Sequence, residues 1–182
     1  SPQGRTLAVL ALAAGPIDAG PIDTAADAAA PDGAQQVLGV LLRELLATTA
    51  ATLKRYVLRA KVSISDESAA HRLYGVVPAV MPAAAPLPAA VAGCYAYDGQ
   101  RMLVIARGAD DSPAGTALTR ARWRALDIAA GLPQLYAATS GQFVAQMLNL
   151  DRIGAIAFDK GCYTGQEVIA RAHYRGRVKR RM

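Results

Sequence analysis

The stretch of this chain best equipped for chemistry is Lys160-Gly161-Cys162-Tyr163-Thr164-Gly165-Gln166-Glu167. It sets a thiol beside an ammonium group, between two glycines, just ahead of a helical pattern over Gln166–Tyr174 that Gly176 stops. Thr164 is placed to cap that helix and Glu167 to close a capping box. The glycines permit close backbone approach and unusual φ angles. A helix N-terminus and a neighbouring cation both favour thiolate over thiol, which makes Cys162 a candidate reactive thiol. Against this, a lone Cys is commonly a buried, inert one. His173 lies eleven residues on, about three helical turns away. One Cys with scattered His does not make a tetrahedral metal set, so no metal is expected.

The second feature is charge. The chain has 182 residues with 20 Lys+Arg and 14 Asp+Glu, a net charge of +6. Residues 1–119 carry nine basic and ten acidic side chains, whereas residues 120–182 carry eleven and four. Arg171, Arg175, Arg177, Lys179, Arg180 and Arg181 crowd the last twelve positions without an acid. Such a cluster suits phosphates, as in tRNA, or another polyanion. Aromatic interleaving is limited to Tyr174, so base stacking gains little support.

The elements that must position these residues read as follows. Thr6–Leu12 is a short apolar run expected to form a strand. Gly15–Ala34, rich in Pro, Gly, Ala and Asp, reads as a loop. Gln36–Leu53 places Val37, Leu38, Leu41, Leu42, Leu45 and Leu46 at helical spacing. Arg55–Ile64 alternates apolar and polar like a half-buried strand, and Leu73–Val77 reads as another. Pro78–Pro88 is a loop. Ala92–Tyr97 and Arg101–Arg107 flank Asp98-Gly99 as a hairpin whose turn would use the positive φ of Asp-Gly. A helix over about Leu118–Ala130 is stopped by Gly131 and Pro133. Phe143–Leu148 has no clear type, Arg152–Phe158 reads as extended, and Val178 opens a strand. This order predicts an α+β fold with largely antiparallel sheet. Forty alanines inflate the apolar fraction, leaving a core of Leu, Val and Ile. No stretch has the length and apolarity of a membrane span, and Cys94 and Cys162 make no disulfide framework, so a reduced, cytoplasmic protein is expected.

The loop at 160–167, followed by Val168-Ile169-Ala170-Arg171-Ala172-His173-Tyr174-Arg175-Gly176-Arg177-Val178-Lys179-Arg180, resembles the signature of the YgfZ-type folate-binding proteins. These are relatives of the glycine-cleavage T-protein that act in iron–sulfur cluster assembly or maintenance and in tRNA modification. Gln3-Gly4-Arg5, the run from Leu53 to Val62, and Trp123 through Leu126 and Ile128 to Gly131 and Pro133 resemble further family motifs in the same order.

The resemblance implies a T-protein-like folate-binding fold, truncated at both ends. A partial T-protein-like domain would span residues 1–110 and a second α+β subdomain 111–182, without the family's C-terminal barrel. It implies tetrahydrofolate or a derivative as cofactor, and iron–sulfur enzymes or assembly proteins, with tRNA, as partners. Cys162 and Lys160 would be the functional pair. Trp123 would stack the pterin, Arg124 or its neighbours Arg120 and Arg122 would take the glutamate tail, and Gly161, Tyr163, Gly165, Gln166 and Glu167 would complete the folate site. Arg171, Arg175, Arg177 and Lys179 would serve a nucleic acid. An accessory role rather than classical catalysis is implied; the alternatives are a folate-dependent aminomethyltransferase and a tRNA-binding module. One departure is internal: the family's Phe-Ile-Pro-Gln is Phe143-Val144-Ala145-Gln146 here.

Overall fold

The computed structural model describes residues 1–14, 37–79, 91–107, 113–176, 178 and 180–182. The described elements are β1 (Ala11–Ala14), β2 (Val37–Val40), α1 (Arg43–Lys54), β3 (His71–Val76), β4 (Val91–Asp98), β5 (Arg101–Arg107), α2 (Arg120–Ala129) and α3 (Gln166–Tyr174), with 3-10 turns at Ala137–Thr139 and Ala145–Leu148. The chain is a mixed α+β protein with small antiparallel sheets and three α-helices among the described residues. None of its described helices is long and apolar enough to cross a membrane.

Two units share the chain in alternation, each drawing on both sides of residue 110. One takes Leu10–Val40 and Ile64–Leu118, the other Ser1–Val9, Leu41–Ser63 and Thr119–Met182.

In the first unit the run Met102–Ala106 has no polar interruption, the pattern of a strand covered on both faces. Leu103, Val104, Ile105 and Ala106 are all buried, and β5 lies between β3 and β4 in an antiparallel sheet. The β4–β5 hairpin forms where expected, but its two-residue turn is Gly99-Gln100, and neither Asp98 nor Gly99 takes a positive φ. The Asp98 carboxylate organises the turn instead. It accepts from Gln100 N at 2.9 Å and from Arg101 Nε at 2.7 Å. Partial burial disfavours this carboxylate, yet those hydrogen bonds and the Arg101 charge outweigh it and hold its pKa below the ordinary value. β1 and β2 pair antiparallel, Ala11 opposite Val40. Ala13 and Ile105 are buried with Leu38 and Val40 against them.

That pairing corrects the expected start of the first helix. Val37–Val40 is strand, because two β-branched residues and Gly39 are poor helix formers and β1 supplies a partner. The helix begins only at Arg43, with Glu44 in its first turn and Lys54 in its last, signs that suit the helix dipole. The expected strand at Thr6–Leu12 is likewise shifted to Ala11–Ala14.

The second unit holds the motif. Its core is Leu45, Leu135, Ala145, Leu148 and Leu150, with Ala8, Val9, Leu41, Phe143, Ile156 and Ile169 packed around them. The extended N-terminal stretch runs beside residues 140–144. Thr6 N donates to Phe143 O at 2.8 Å, Gly141 N to Thr6 O at 2.8 Å and Ser140 Oγ to Leu7 O at 2.7 Å. The Arg5 guanidinium donates to Gln142 O. Helix α2 is capped by Thr119, whose Oγ1 accepts from Arg122 N at 3.2 Å. It closes with Leu132 N to Asp127 O at 2.9 Å and Gly131 N to Ile128 O at 3.1 Å, Gly131 standing at φ +66°.

Arg55–Ile64 does not form the expected strand. It is turn and coil, and Tyr56 and Leu58 are 68% and 85% exposed. Alternation prepares a strand, but a strand needs a partner, and none is present among the described residues. Arg152–Phe158 is irregular rather than a strand, and Val178 opens none. Of the Pro-rich loop read at Pro78–Pro88, residues 80–88 lie outside the described residues, as does the whole of the 15–34 loop.

Gly165 stands at φ +90°, and a Cβ there would run into Ser1 O and approach Gly4 N at 2.9 Å. Gly165→Ala is therefore expected to cost about 2 kcal/mol or more. Gly131→Ala, where a Cβ meets nothing within 4 Å, should cost only about 1 kcal/mol. Urea unfolding of both variants checks this, and the reverse ranking contradicts it.

Candidate functional site

Cys162 lies on a loop fixed at both ends. At the near end the Phe158 ring stacks on His173 of α3, centroids 4.0 Å apart, with Tyr174 edge-on to both. At the far end Gly165 is the N-cap of α3. Between them Lys160 Nζ stands 4.5 Å from the centroid of the Tyr163 ring, an attraction between the cation and the ring face. Tyr163 N donates to Gln166 Oε1 at 3.1 Å, and Gln166 N to Tyr163 O at 3.2 Å. The free Cys162 thiol is exposed on this loop.

The capping expectation is corrected here. Thr164 makes no cap hydrogen bond and no capping box forms. With Gly165 in a left-handed conformation as N-cap, Gln166 satisfies the loop backbone instead. Glu167 is exposed in the first turn, where its charge suits the helix dipole. Of the two glycines only Gly165 needs to be one; a Cβ at Gly161 would meet nothing within 4 Å.

Trp123 is half-buried on α2. Arg124 is engaged: it donates to the Tyr136 hydroxyl and lies 5.6 Å from the centroid of that ring. Tyr136 Oη in turn donates to Gln134 Oε1 at 3.2 Å, and Gln134 Nε2 to Asp127 Oδ2 at 2.8 Å. This relay anchors a carboxylate that is only 3% exposed. Arg120 and Arg122 are exposed. Helix α3 packs on the Ala145–Leu148 turn, and α2 and α3 do not pack along one another. The residues expected to bind folate thus fall in two places, Trp123 and Arg124 on α2, the others on the loop and the start of α3. Of the basic residues assigned to nucleic acid, Arg171 and Arg175 are exposed on and after α3. Arg177 and Lys179 lie outside the described residues.

Between the Ala145–Leu148 turn and α3 lies a groove of about 510 Å³. Val144, Met147, Val168, Ala172 and Val178 give it apolar walls, and Arg171 and Arg180 add cations. Gln146 also lines it and is 1% exposed. Its Nε2 donates to Ile169 O at 2.7 Å, while its Oε1 is buried without a hydrogen-bond partner. A flipped amide would set two carbonyl oxygens together, so the assignment is chemically fixed. An unpaired buried acceptor costs about 1–3 kcal/mol.

Of this groove's lining, Arg171 and Arg180 were singled out from the sequence, both as members of the basic cluster. Gln146 carried a usable signal, one amide inside the apolar run Phe143–Leu148. Ala145 is the first residue of its 3-10 turn, where proline's missing N–H costs nothing.

Met182 N donates to Met147 O at 3.1 Å, and Arg181 meets both Asp151 oxygens at 2.8 Å. The Arg181 hydrogen bonds hold the Asp151 carboxyl below its ordinary 3.8. The sequence matches no protein-family model.

A carboxylate whose pKa is depressed by folding adds stability above its unfolded value, and that stability is lost as pH falls through the folded one. Asp151→Asn should therefore lower stability at pH 7 and flatten its decline below about pH 4. Urea midpoints measured across that range check this; parallel wild-type and variant curves contradict it.

Proposed function

We propose that this protein is a folate-binding accessory factor for iron–sulfur enzymes, built on a T-protein-like fold, with tetrahydrofolate or a derivative seated between the Ala145–Leu148 turn and α3. The observation that carries this reading is the groove beside α3, with apolar walls, two arginines and the Gln146 side chain in its lining. A pterin is flat, carries N–H donors on one edge, and bears a glutamate tail. Apolar walls suit its faces, and Arg171 or Arg180 suits the carboxylates.

The motif loop supports the same reading. It enters α3 at Gly165 and leaves Cys162 exposed, so that the thiol's loop leads into the helix that walls the groove. In this reading the loop presents Cys162 to a partner, and folate occupies the other side of α3's packing contact. The work of the protein is then binding and presentation, with cluster-dependent tRNA modification as the process served. Direct tRNA binding is the alternative, with Arg171 and Arg175 exposed for it and Arg181 engaged by Asp151. Aminomethyl transfer has no separate observation in its favour.

Calorimetric titration with tetrahydrofolate should show binding that Gln146→Leu weakens about tenfold. Trp123→Ala serves as the comparison. If it weakens binding and Gln146→Leu does not, folate stacks on α2 and the groove assignment is wrong. If wild-type protein does not bind tetrahydrofolate, the folate reading fails. For the thiol, Cys162→Ala is expected not to restore tRNA thiomethylation to a strain lacking this activity; full restoration rules the thiol out.

A further inference from the structure

The turn that supplies Gln146 to the groove also anchors Arg181 and Met182. Arg181 Nη1 donates to Gln146 O at 3.0 Å and to Asn149 Oδ1 at 3.3 Å. The same guanidinium meets Asp151 with two parallel contacts, a geometry that fixes direction as well as distance. Asn149 Nδ2 donates to Met182 O at 3.1 Å, and Met182 N to Met147 O. Asn149 closes the turn at φ 54°, the one positive φ outside glycine among the described residues, and Asn tolerates that conformation best. The last two residues are thus tied to the turn by their backbone and by a charged side chain.

The residues just before them belong to the groove. Val178 adds to its apolar wall and Arg180 to its cations. Arg180 is exposed and makes no ion pair among the described residues, whereas its neighbour Arg181 is spent on Asp151. The charge division along the strap is therefore sharp: one arginine holds, the next is available.

We infer that Asp151 is a positioning residue for ligand binding: by clamping Arg181 it holds a strap made of Val178 and Arg180–Met182 against the turn and sets Arg180 where the anionic tail of the ligand leaves the groove. This rests on the folate reading above. It adds a residue that touches no ligand and a division of labour within it, with the turn and α3 taking the ring and the strap taking the tail. A purely structural role for the ion pair would affect ring and tail alike.

The test compares tetrahydrofolate with tetrahydropterin, which has the ring and no glutamate tail, on wild type, Asp151→Asn and Arg180→Gln. Asp151→Asn should weaken tetrahydrofolate roughly fivefold and leave tetrahydropterin unchanged. Arg180→Gln lies outside the clamp and should do the same without altering the urea midpoint. Hydrogen exchange at the Met182 amide should quicken in Asp151→Asn and not in Arg180→Gln. Equal loss of both ligands in Asp151→Asn, or loss of neither, overturns the positioning role while leaving the folate reading intact. If Asp151→Asn fails to fold, Arg180→Gln decides alone: an unchanged preference for the tail-bearing ligand overturns the inference. Absence of tetrahydrofolate binding by wild type overturns both readings.

Discussion

The motif-bearing unit depends on two backbones approaching where neither can carry a side chain. Gly4, at φ +66°, and Gly165, at φ +90°, face each other closely enough that a Cβ on Gly4 would stand 2.7 Å from Val168 Cβ and 3.1 Å from Gly165 O. Everything downstream inherits this contact. It seats the N-terminal stretch, which then bonds along residues 140–144. It also fixes the first turn of α3, and with it the end of the loop that carries Cys162. Val168, which touches Gly4, is itself a wall of the groove. Any bulk added at either glycine displaces the thiol loop and the groove together.

The second constraint is the turn from Ala145 to Asp151. Its side chains are divided between purposes: Ala145, Leu148 and Leu150 enter the core, Gln146 and Met147 line the groove, and Asn149 and Asp151 hold the strap. A 3-10 turn suits this division, because three residues per turn send successive side chains in three directions. The buried amide is tolerated because one of its two groups is bonded to α3, which ties turn and helix together.

Elements with strong local signals were legible in the sequence: the β4–β5 hairpin, α2 with its Gly131 stop, and α3 with Gly176 beyond it. The misread ones were decided by partners. Val37–Val40 has helical spacing in isolation, but β1 recruits it to a sheet, and tertiary pairing overrides a weak propensity. Arg55–Ile64 has strand spacing and lacks a neighbour. At the site, the loop leading into α3 was anticipated and its capping was not, because a left-handed Gly at the N-cap removes Thr164 from the task. The groove was invisible since its walls come from three separate stretches, and burial of one amide oxygen is not a property of sequence.

The alternation of the two units along the chain also sets an order of events during synthesis. Every residue of the sheet unit precedes Thr119, so that unit can close while the rest is still being made. The motif unit cannot. Its first strip, Ser1–Val9, and its first helix must wait for Thr119–Met182, and Gly4 meets Gly165 only across some 160 residues of intervening chain. Until then Leu45 and the other apolar side chains of α1 have no core to enter. The later segment, Thr119–Met182, thus completes the site and at the same time ends the exposure of α1.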